Sequence, residues 1–271
     1  MPELPEVEIA RRTLVRWFEG RELVRTEATK TRTFRSGTAA PFAKLKGPLT
    51  KADRRGKYLM LQFGDEGLMA HLGMTGKFVK RSPGVDEPYS RARFVLDTGE
   101  VIHFRDPRLF GEILATKSEL LGELPGVKKL GRDPLVDGLD WHQLKDAIGK
   151  TKLDLKVALM DQTRLAGLGN IHAAEALFRA GLHPGRKAKS LSDTEWKALA
   201  RAIHKSLEFG LSEQDGEEIE YVEEPGVENP FLIYGRAGTP CRKCKTKVKS
   251  YTQGGRTTHF CPKCQSKKRK P

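Results

Sequence analysis

All four cysteines of the chain fall in one short stretch, as Cys241-x2-Cys244 and Cys261-x2-Cys264 with sixteen residues between the pairs. Each CxxC turn can aim two thiolates at one ion. Two such turns fill a tetrahedral zinc site and leave no open position, so the ion is structural rather than catalytic. Two disulfides are the competing reading, disfavoured in a basic chain with no visible secretory signal. His259, just before Cys261, could stand in for a ligand, although the four thiolates already complete the set. The intervening "KTKVKSYTQGGRTTHF" predicts a hairpin, with strands at Val248 to Thr252 and Thr257 to Phe260 about a Gly254-Gly255 turn. A second unusual stretch is the opening "MPELPEVE", where two prolines and three acids crowd into eight residues. By residue type alone, Pro5 suits a first helical turn and Glu3 and Glu6 are acids favoured at a helix start.

Charge narrows the partner. Lys plus Arg number 49 against 35 acids, a net +14. Such an excess favours a polyanion, most often nucleic acid, over the blander reading of a basic enzyme. The charge is unevenly spread. Residues 229–271 contain no acid, whereas Leu211 to Glu228 holds eight acids and no base. No window of 18 apolar residues exists, so no transmembrane helix is expected. The expectation is a soluble, cytoplasmic protein, nucleoid-associated if prokaryotic.

The elements that must carry these residues change character along the chain. Pro5 to about Glu19 predicts an amphipathic helix, with Val7, Ala10, Leu14 and Trp17/Phe18 at helical spacing and Gly20 as its stop. From Leu23 to about Thr116 short apolar runs ("KYLMLQF", "LMAHL", "GKFVK", "ARFVL", "VIHF") alternate with turn sequences, which predicts an antiparallel sandwich or barrel. Beyond "LGRDPLVDGLD" the pattern is helical, at Trp141 to Ile148, Leu153 to Asp161, Ile171 to Ala180 and Asp193 to Glu208. "QTRLAGLGN" is a Gly-rich turn that ends on Asn170, a suitable N-cap. The division expected from this is 1–130, 131–228 and 229–271.

Taken in order, "PELPEVE", "RRGKYL", "HLGMTG", "DPRLFG", "LMDQTRLAGLGNIHAAEALF", "GLHP", "YGRAGTPCRKC" and "GRTTHFCPKC" resemble the Fpg/Nei base-excision repair family over nearly the whole chain. "ELPE" favours its formamidopyrimidine-DNA glycosylase branch. The resemblance implies an α+β chain: an N-terminal β-sandwich with an N-terminal helix, a helix–two-turn–helix domain and a C-terminal zinc-finger hairpin. It implies a monomer acting on double-stranded DNA that carries a damaged base or an abasic site, with one structural zinc and no other cofactor. The resemblance also implies that Met1 is removed and that the amine of Pro2 attacks C1′. Glu3 is then the acid–base group, Glu6 a supporting carboxylate, and Lys57 a phosphate contact assisting excision. Arg256 grips phosphates around the everted nucleotide. His71, Lys156 and Asn170 match phosphate-binding positions, and Met74, Arg108 and Phe110 match the side chains that fill the void left in the duplex. The zinc ligands are Cys241, Cys244, Cys261 and Cys264.

One departure affects substrate choice. Family members carry Gly-Gly-Thr-Thr after the last long helix, followed by a loop that caps 8-oxoguanine; here that motif is absent and the acidic stretch takes its place. Carboxylates so near a DNA site would repel phosphate, so an outward-facing or disordered loop is expected; the alternative is a different loop that performs the same capping, since backbone amides do not depend on side-chain identity. The expected activity is a bifunctional glycosylase and abasic-site lyase for ring-opened or oxidised purines, with 8-oxoguanine the weaker substrate. A non-catalytic damaged-DNA binder, or an enzyme with altered lesion specificity, would share the scaffold. Pro2 with Glu3 separates the enzyme from the binder.

Overall fold

The computed structural model describes residues 2–28, 32–34, 39–213 and 218–267. The chain divides into two units, one of Met1–Lys129 with Gln214–Val227, the other of Leu130–Glu213 with Glu228–Pro271.

Unit 1 opens with helix α1 (Leu4–Phe18), which Pro5 starts and Glu19, extended at φ −60° and ψ 118°, ends. Strands β1 (Glu22–Ala28), β2 (Gly47–Pro48), β3 (Lys51–Arg55), β4 (Tyr58–Phe63), β5 (Glu66–His71), β6 (Lys77–Arg81), β7 (Ser90–Leu96), β8 (Val101–Arg105) and β9 (Glu112–Lys117) follow, with a short helix α2 (Ala39–Phe42) after β1 and α3 (Pro125–Lys128) at the end. They form two sheets, ordered β2-β1-β7-β8-β6 and β3-β4-β5-β9, and every pairing of adjacent strands is antiparallel. In β4 the burial alternates residue by residue, with Leu59, Leu61 and Phe63 inward, as a half-buried strand requires. Helix α1 packs on β3 and β4 of one sheet and on β6 of the other. Its face of Leu4, Val7, Ala10, Leu14, Trp17 and Phe18 is buried. At roughly 1.5–3 kcal/mol for each large side chain, that face fixes where the head of the helix lies. Phe42 does the same from α2, touching Phe34 and Phe94 edge-on or tilted at centroid distances of 5.1 and 5.3 Å.

Unit 2 holds α4 (Trp141–Ile148), α5 (Leu155–Leu159), α6 (Asn170–Ala180) and α7 (Asp193–Ser212), then a hairpin of β10 (Lys249–Gln253) and β11 (Arg256–Phe260). Capping boxes start α4 at Asp140/Gln143 and α7 at Ser192/Glu195, and Gly181 at φ +69° ends α6. Helix α7 runs past its expected end, while α5 is shorter than Leu153 to Asp161. Asn170 is the first residue of α6 rather than its cap, which is Gly169; its side chain bonds elsewhere, as described below. Buried Ala174 and Phe178 of α6 form one cluster with Ile233, Val248, Cys241 and Cys261, so the cysteine module rests on a helix of its own unit. Among the described residues no helix is long and apolar enough to cross a membrane.

Candidate active site

In unit 1 the expected nucleophile and its acids come together at the head of α1. Pro2 is buried and Glu3 fully so. The Glu3 amide donates to Glu6 Oε2 at 2.8 Å, within a reciprocal capping box. Glu6 thus fixes the backbone that carries Glu3. A residue that sequence reasoning passed over extends this support. Glu8 accepts from Arg11 at 2.8 Å and Arg12 at 2.8 Å, and from Arg54 of β3 at 3.3 Å. Burial works to raise its carboxyl, yet these three guanidinium groups bring it down to about 2. Glu8 therefore ties α1 to the strand that leads into Lys57.

Lys57 does not begin a strand; it occupies the β3–β4 turn after Gly56, which takes φ +57°. The register sets Tyr58 opposite His71, and their rings lie 4.9 Å apart. Burial first, then the Lys57 charge, lowers His71 to about 4. Its Nδ1 accepts the Gly73 amide at 3.1 Å. A neutral His71 therefore keeps its proton on Nε2, where it can be donated.

The three expected void-filling residues sit on two adjoining loops. Met74 is half-buried, Arg108 is exposed and Phe110 is 51% exposed. The Arg108 guanidinium lies over the Phe110 ring at 5.1 Å. Buried Asp106 joins the loops: it accepts from the Thr75 hydroxyl at 2.7 Å and the Gly111 amide at 2.7 Å. Sequence reasoning passed over Asp106, and no local pattern signals its reach to Thr75.

In unit 2, Lys156 is fully buried. Its ammonium donates to Asn170 Oδ1, to Thr258 Oγ1 at 2.7 Å and to the Thr257 carbonyl at 3.4 Å. Asn170 Nδ2 also donates to the Thr257 carbonyl, at 3.1 Å. Lys156 and Asn170 thus hold β11 against the helices, and any reading as direct phosphate contacts must include this internal role. Arg256 is exposed at the hairpin tip, next to Gly254 and Gly255 at φ +55° and +71°. A two-residue turn with both φ positive suits glycine. Gly254 has no room to spare, since a Cβ there would lie 3.2 Å from Val157 of α5.

The four cysteine sulfurs lie within 4.8 Å of one another. Cys244 and Cys261 Sγ are 3.4 Å apart, far beyond an S–S bond of about 2.05 Å and close to the roughly 3.8 Å edge of a ZnS4 tetrahedron. The residues fit one structural zinc. His259 stays outside the set; its Nδ1 accepts the Gly235 amide at 3.4 Å and its ring meets Tyr234 edge-on. Another residue missed in the sequence is Glu175 of α6, wholly buried. It accepts the amides of Leu232, Ile233 and Tyr234 at 3.2, 2.8 and 3.0 Å, pinning the chain that enters the finger.

The chain as a whole has counterparts among known proteins. The formamidopyrimidine-DNA glycosylase N-terminal domain family matches residues 1–113, the H2TH domain of the same enzymes matches 130–220, and a zinc finger found in FPG and IleRS matches 238–267. The formamidopyrimidine-DNA glycosylase of Heliobacterium modesticaldum is 39% identical over 276 residues, covering 98% of this chain and 100% of that protein. The enzyme of that name from Bacillus subtilis is 36% identical over 277 residues, covering 99% and 100%. Among solved structures, the MutM (Fpg) protein of Thermus thermophilus superposes with a TM-score of 0.82 at 34% identity, over 99% of this chain and 100% of that one. A complex of Lactococcus lactis Fpg with DNA containing an abasic site gives 0.86 at 28% identity, over 97% and 99%. The chain belongs to the formamidopyrimidine-DNA glycosylase family.

Proposed function

We propose that this chain is a DNA glycosylase with abasic-site lyase activity, acting on ring-opened or oxidised purines in duplex DNA in the bacterial cytoplasm or nucleoid. The observation that carries the reading is Pro2 at the head of α1, beside a buried Glu3 whose backbone Glu6 fixes. Once Met1 is removed, the Pro2 amine is easier to hold neutral near pH 7 than a lysine, because α-amines titrate at about 7.7–8.0 and Lys at about 10.4. The Pro2 nitrogen forms a bond to C1′. The base leaves with the electron pair of the glycosidic bond and takes up a proton. The sugar ring opens with proton transfer assisted by Glu3, leaving an iminium. That cation makes a 2′ C–H acidic, and loss of this proton expels the 3′ phosphate. Lys57 and His71, with its Nε2 proton, face the phosphate beside the lesion, and Met74, Arg108 and Phe110 occupy the gap left by the everted nucleotide, offsetting part of the unstacking cost. In unit 2, Arg256 at the hairpin tip grips phosphate, and Lys156 with Asn170 sets that tip. Zinc, held by Cys241, Cys244, Cys261 and Cys264, supplies folding energy and takes no part in the reaction.

The test is borohydride trapping on duplexes containing an abasic site, with peptide mapping of the adduct. An adduct at Pro2, lost in Pro2→Gly and in a protein with an uncleaved N-terminal extension, is expected. An adduct at an internal lysine with full activity in the extended protein would defeat the assignment. Lack of any adduct, with binding retained, would favour the non-catalytic binder.

A further inference from the structure

Unit 2 has a hollow of about 500 Å³ between the head of α4 and the outer side of α7. Buried Leu139 and Ala200 and half-buried Trp141 give it an apolar floor, and exposed Lys197 and Arg201 stand at its edge with His204. The Lys197 ammonium lies 5.0 Å from the centroid of the Trp141 ring. His204 Nε2 donates to the Leu139 carbonyl at 2.8 Å. Helix α7 carries a row of exposed bases, Lys197, Arg201 and Lys205, one every four residues. With a rise of 1.5 Å per residue they follow one another at about 6 Å along one face. Among the described residues none of the three pairs with a carboxylate. Two acids of this region are already engaged: Asp140 accepts the Gln143 amide at 2.8 Å, and Asp193 pairs with Lys145 at 2.8 Å.

The acid-rich stretch of the chain itself is committed elsewhere. Its described part, residues 218–227, belongs to unit 1. Ile219 and Tyr221 are buried there, Lys77 of β6 donates to both Glu224 oxygens at 3.1 Å, and Arg81 pairs with Glu218. The outward-facing loop expected from the sequence does not hold for this part, because the cations of β6 offset its carboxylates.

A row of unpaired bases beside an apolar hollow is complementary to a chain that bears acids and one large apolar side chain. In an extended peptide, alternate side chains share a face at about 7 Å, close to the step of the α7 row. We propose that the α4–α7 surface docks an extended acidic peptide segment of another protein. Its apolar side chain sits against Trp141 and Leu139, and its alternate carboxylates meet Lys197, Arg201 and Lys205. Tryptophan and arginine are the residue types that most often anchor such contacts. Two observations favour a peptide over DNA. A phosphate backbone has nothing apolar to place in the hollow. The unit 2 residues assigned to DNA, Lys156, Asn170 and Arg256, lie on α5, α6 and β11, not on α4 or α7. None of the docking residues has a part in the reaction proposed above, so the inference stands apart from it.

Trp17 and Trp196 are buried, so a peptide bound here should change the emission of Trp141. The probe is the acetylated peptide Ser-Phe-Ser-Glu-Ser-Glu-Ser-Glu, unlabelled for tryptophan emission and fluorescein-tagged for anisotropy. It is titrated into the full chain at about 0.15 M salt, where the Debye length is about 8 Å. Saturable binding is expected in both readouts. Trp141→Phe should remove the emission change yet keep binding by anisotropy within about threefold, since an aromatic floor remains. Lys197→Glu combined with Arg201→Glu should weaken binding at least about tenfold, as should alanine in place of the peptide's phenylalanine. DNA affinity and excision rate of the charge-reversed protein should stay within about twofold of wild type. No saturation below about 1 mM, an emission change that persists in Trp141→Phe, or unchanged binding after charge reversal would overturn the proposal. So would a parallel tenfold loss of DNA affinity, which would assign the row to DNA. A wild-type dimer in sedimentation that charge reversal dissolves would equally overturn it, by seating a second copy in the hollow.

Discussion

Some of the buried charges in the two units are held by different means. Unit 1 sets charge against charge: Glu8 lies among Arg11, Arg12 and Arg54, and Lys77 meets Glu224. In unit 2 Arg186 likewise pairs with Glu195, but two other buried charges there rely largely on dipoles. Glu175 accepts three successive backbone amides, with Arg179 4.0 Å away, and Lys156 donates to an amide oxygen, a hydroxyl and a carbonyl. The difference matters for a protein that must meet a polyanion. Ion pairs with formal charges on both sides cancel at a distance, so the frame around Pro2 and Glu3 responds weakly to an approaching phosphate. A lysine bonded to neutral acceptors keeps more of its outward field, which is useful where a hairpin must be set against DNA.

Removing zinc should separate the units most sharply. Metal supplies roughly 10–16 kcal/mol to isolated finger peptides, so chelation should disorder β10 and β11 and abolish tight DNA binding. Hydrogen exchange should then show unit 1 amides still protected, and loss of protection in β4 and β5 would break the comparison. A smaller effect is expected from Glu8→Gln. Taking one partner from a buried pair costs about 3 kcal/mol or more, read as a lower melting temperature. The pH dependence has a definite sign. Glu8 titrates near 2 when folded against 4.5 for an ordinary carboxyl, so its contribution is full above pH 4.5 and is lost as pH falls through 2. Glu8→Gln should flatten that part of the stability profile, and an unchanged profile would rule the ion pairs out as its source.

Smaller again, and more diagnostic, is the response to salt. Lys156→Met should weaken DNA binding and reduce the slope of log affinity against log salt by about one, whereas Lys77→Met should leave the slope alone. An unchanged slope in the first variant would confine Lys156 to holding the hairpin. A second pH effect, at higher pH than that of Glu8, belongs to His71. Its folded value of about 4 lies below the ordinary 6.5, so folding favours the neutral ring and stability declines as pH drops from 6.5 towards 4. His71→Gln should remove that decline, measurable by denaturant titration at several pH values.

Local signals served the sequence well. Helix α4 falls on the residues its periodicity predicts, and the Gly254-Gly255 turn joins the hairpin it promised. The zinc set follows from spacing alone. Strands with charged sequences were harder to see. In β3, "KADRR" reads as a solvated run, and it is a strand because β4 pairs with it; β1 exposes most of its residues and depends on β7. Candidate site residues were legible where a motif names them, and their distant partners were invisible. Arg54 is far from Glu8 in sequence, and Lys77 farther still from Glu224. No periodicity encodes such a pair. Asn170 shows a milder failure: the right residue type for a cap was found, but a buried ammonium competes for its side chain.

Gly73, at φ +66°, presses against the neighbouring loop so closely that a Cβ would come within 2.3 Å of the Phe110 carbonyl carbon. The loops bearing Met74 and Phe110 are therefore geared together, with no slack for one to advance while the other waits. On the function proposed above, a damage search made with such a tool would have few intermediate settings: the probe would enter a base step with both side chains or withdraw with both. Gly73→Ala would wedge the loops apart and uncouple them. Passage along undamaged DNA would then become a slower, stuttering scan, detectable in single-molecule diffusion traces as longer pauses at ordinary base pairs.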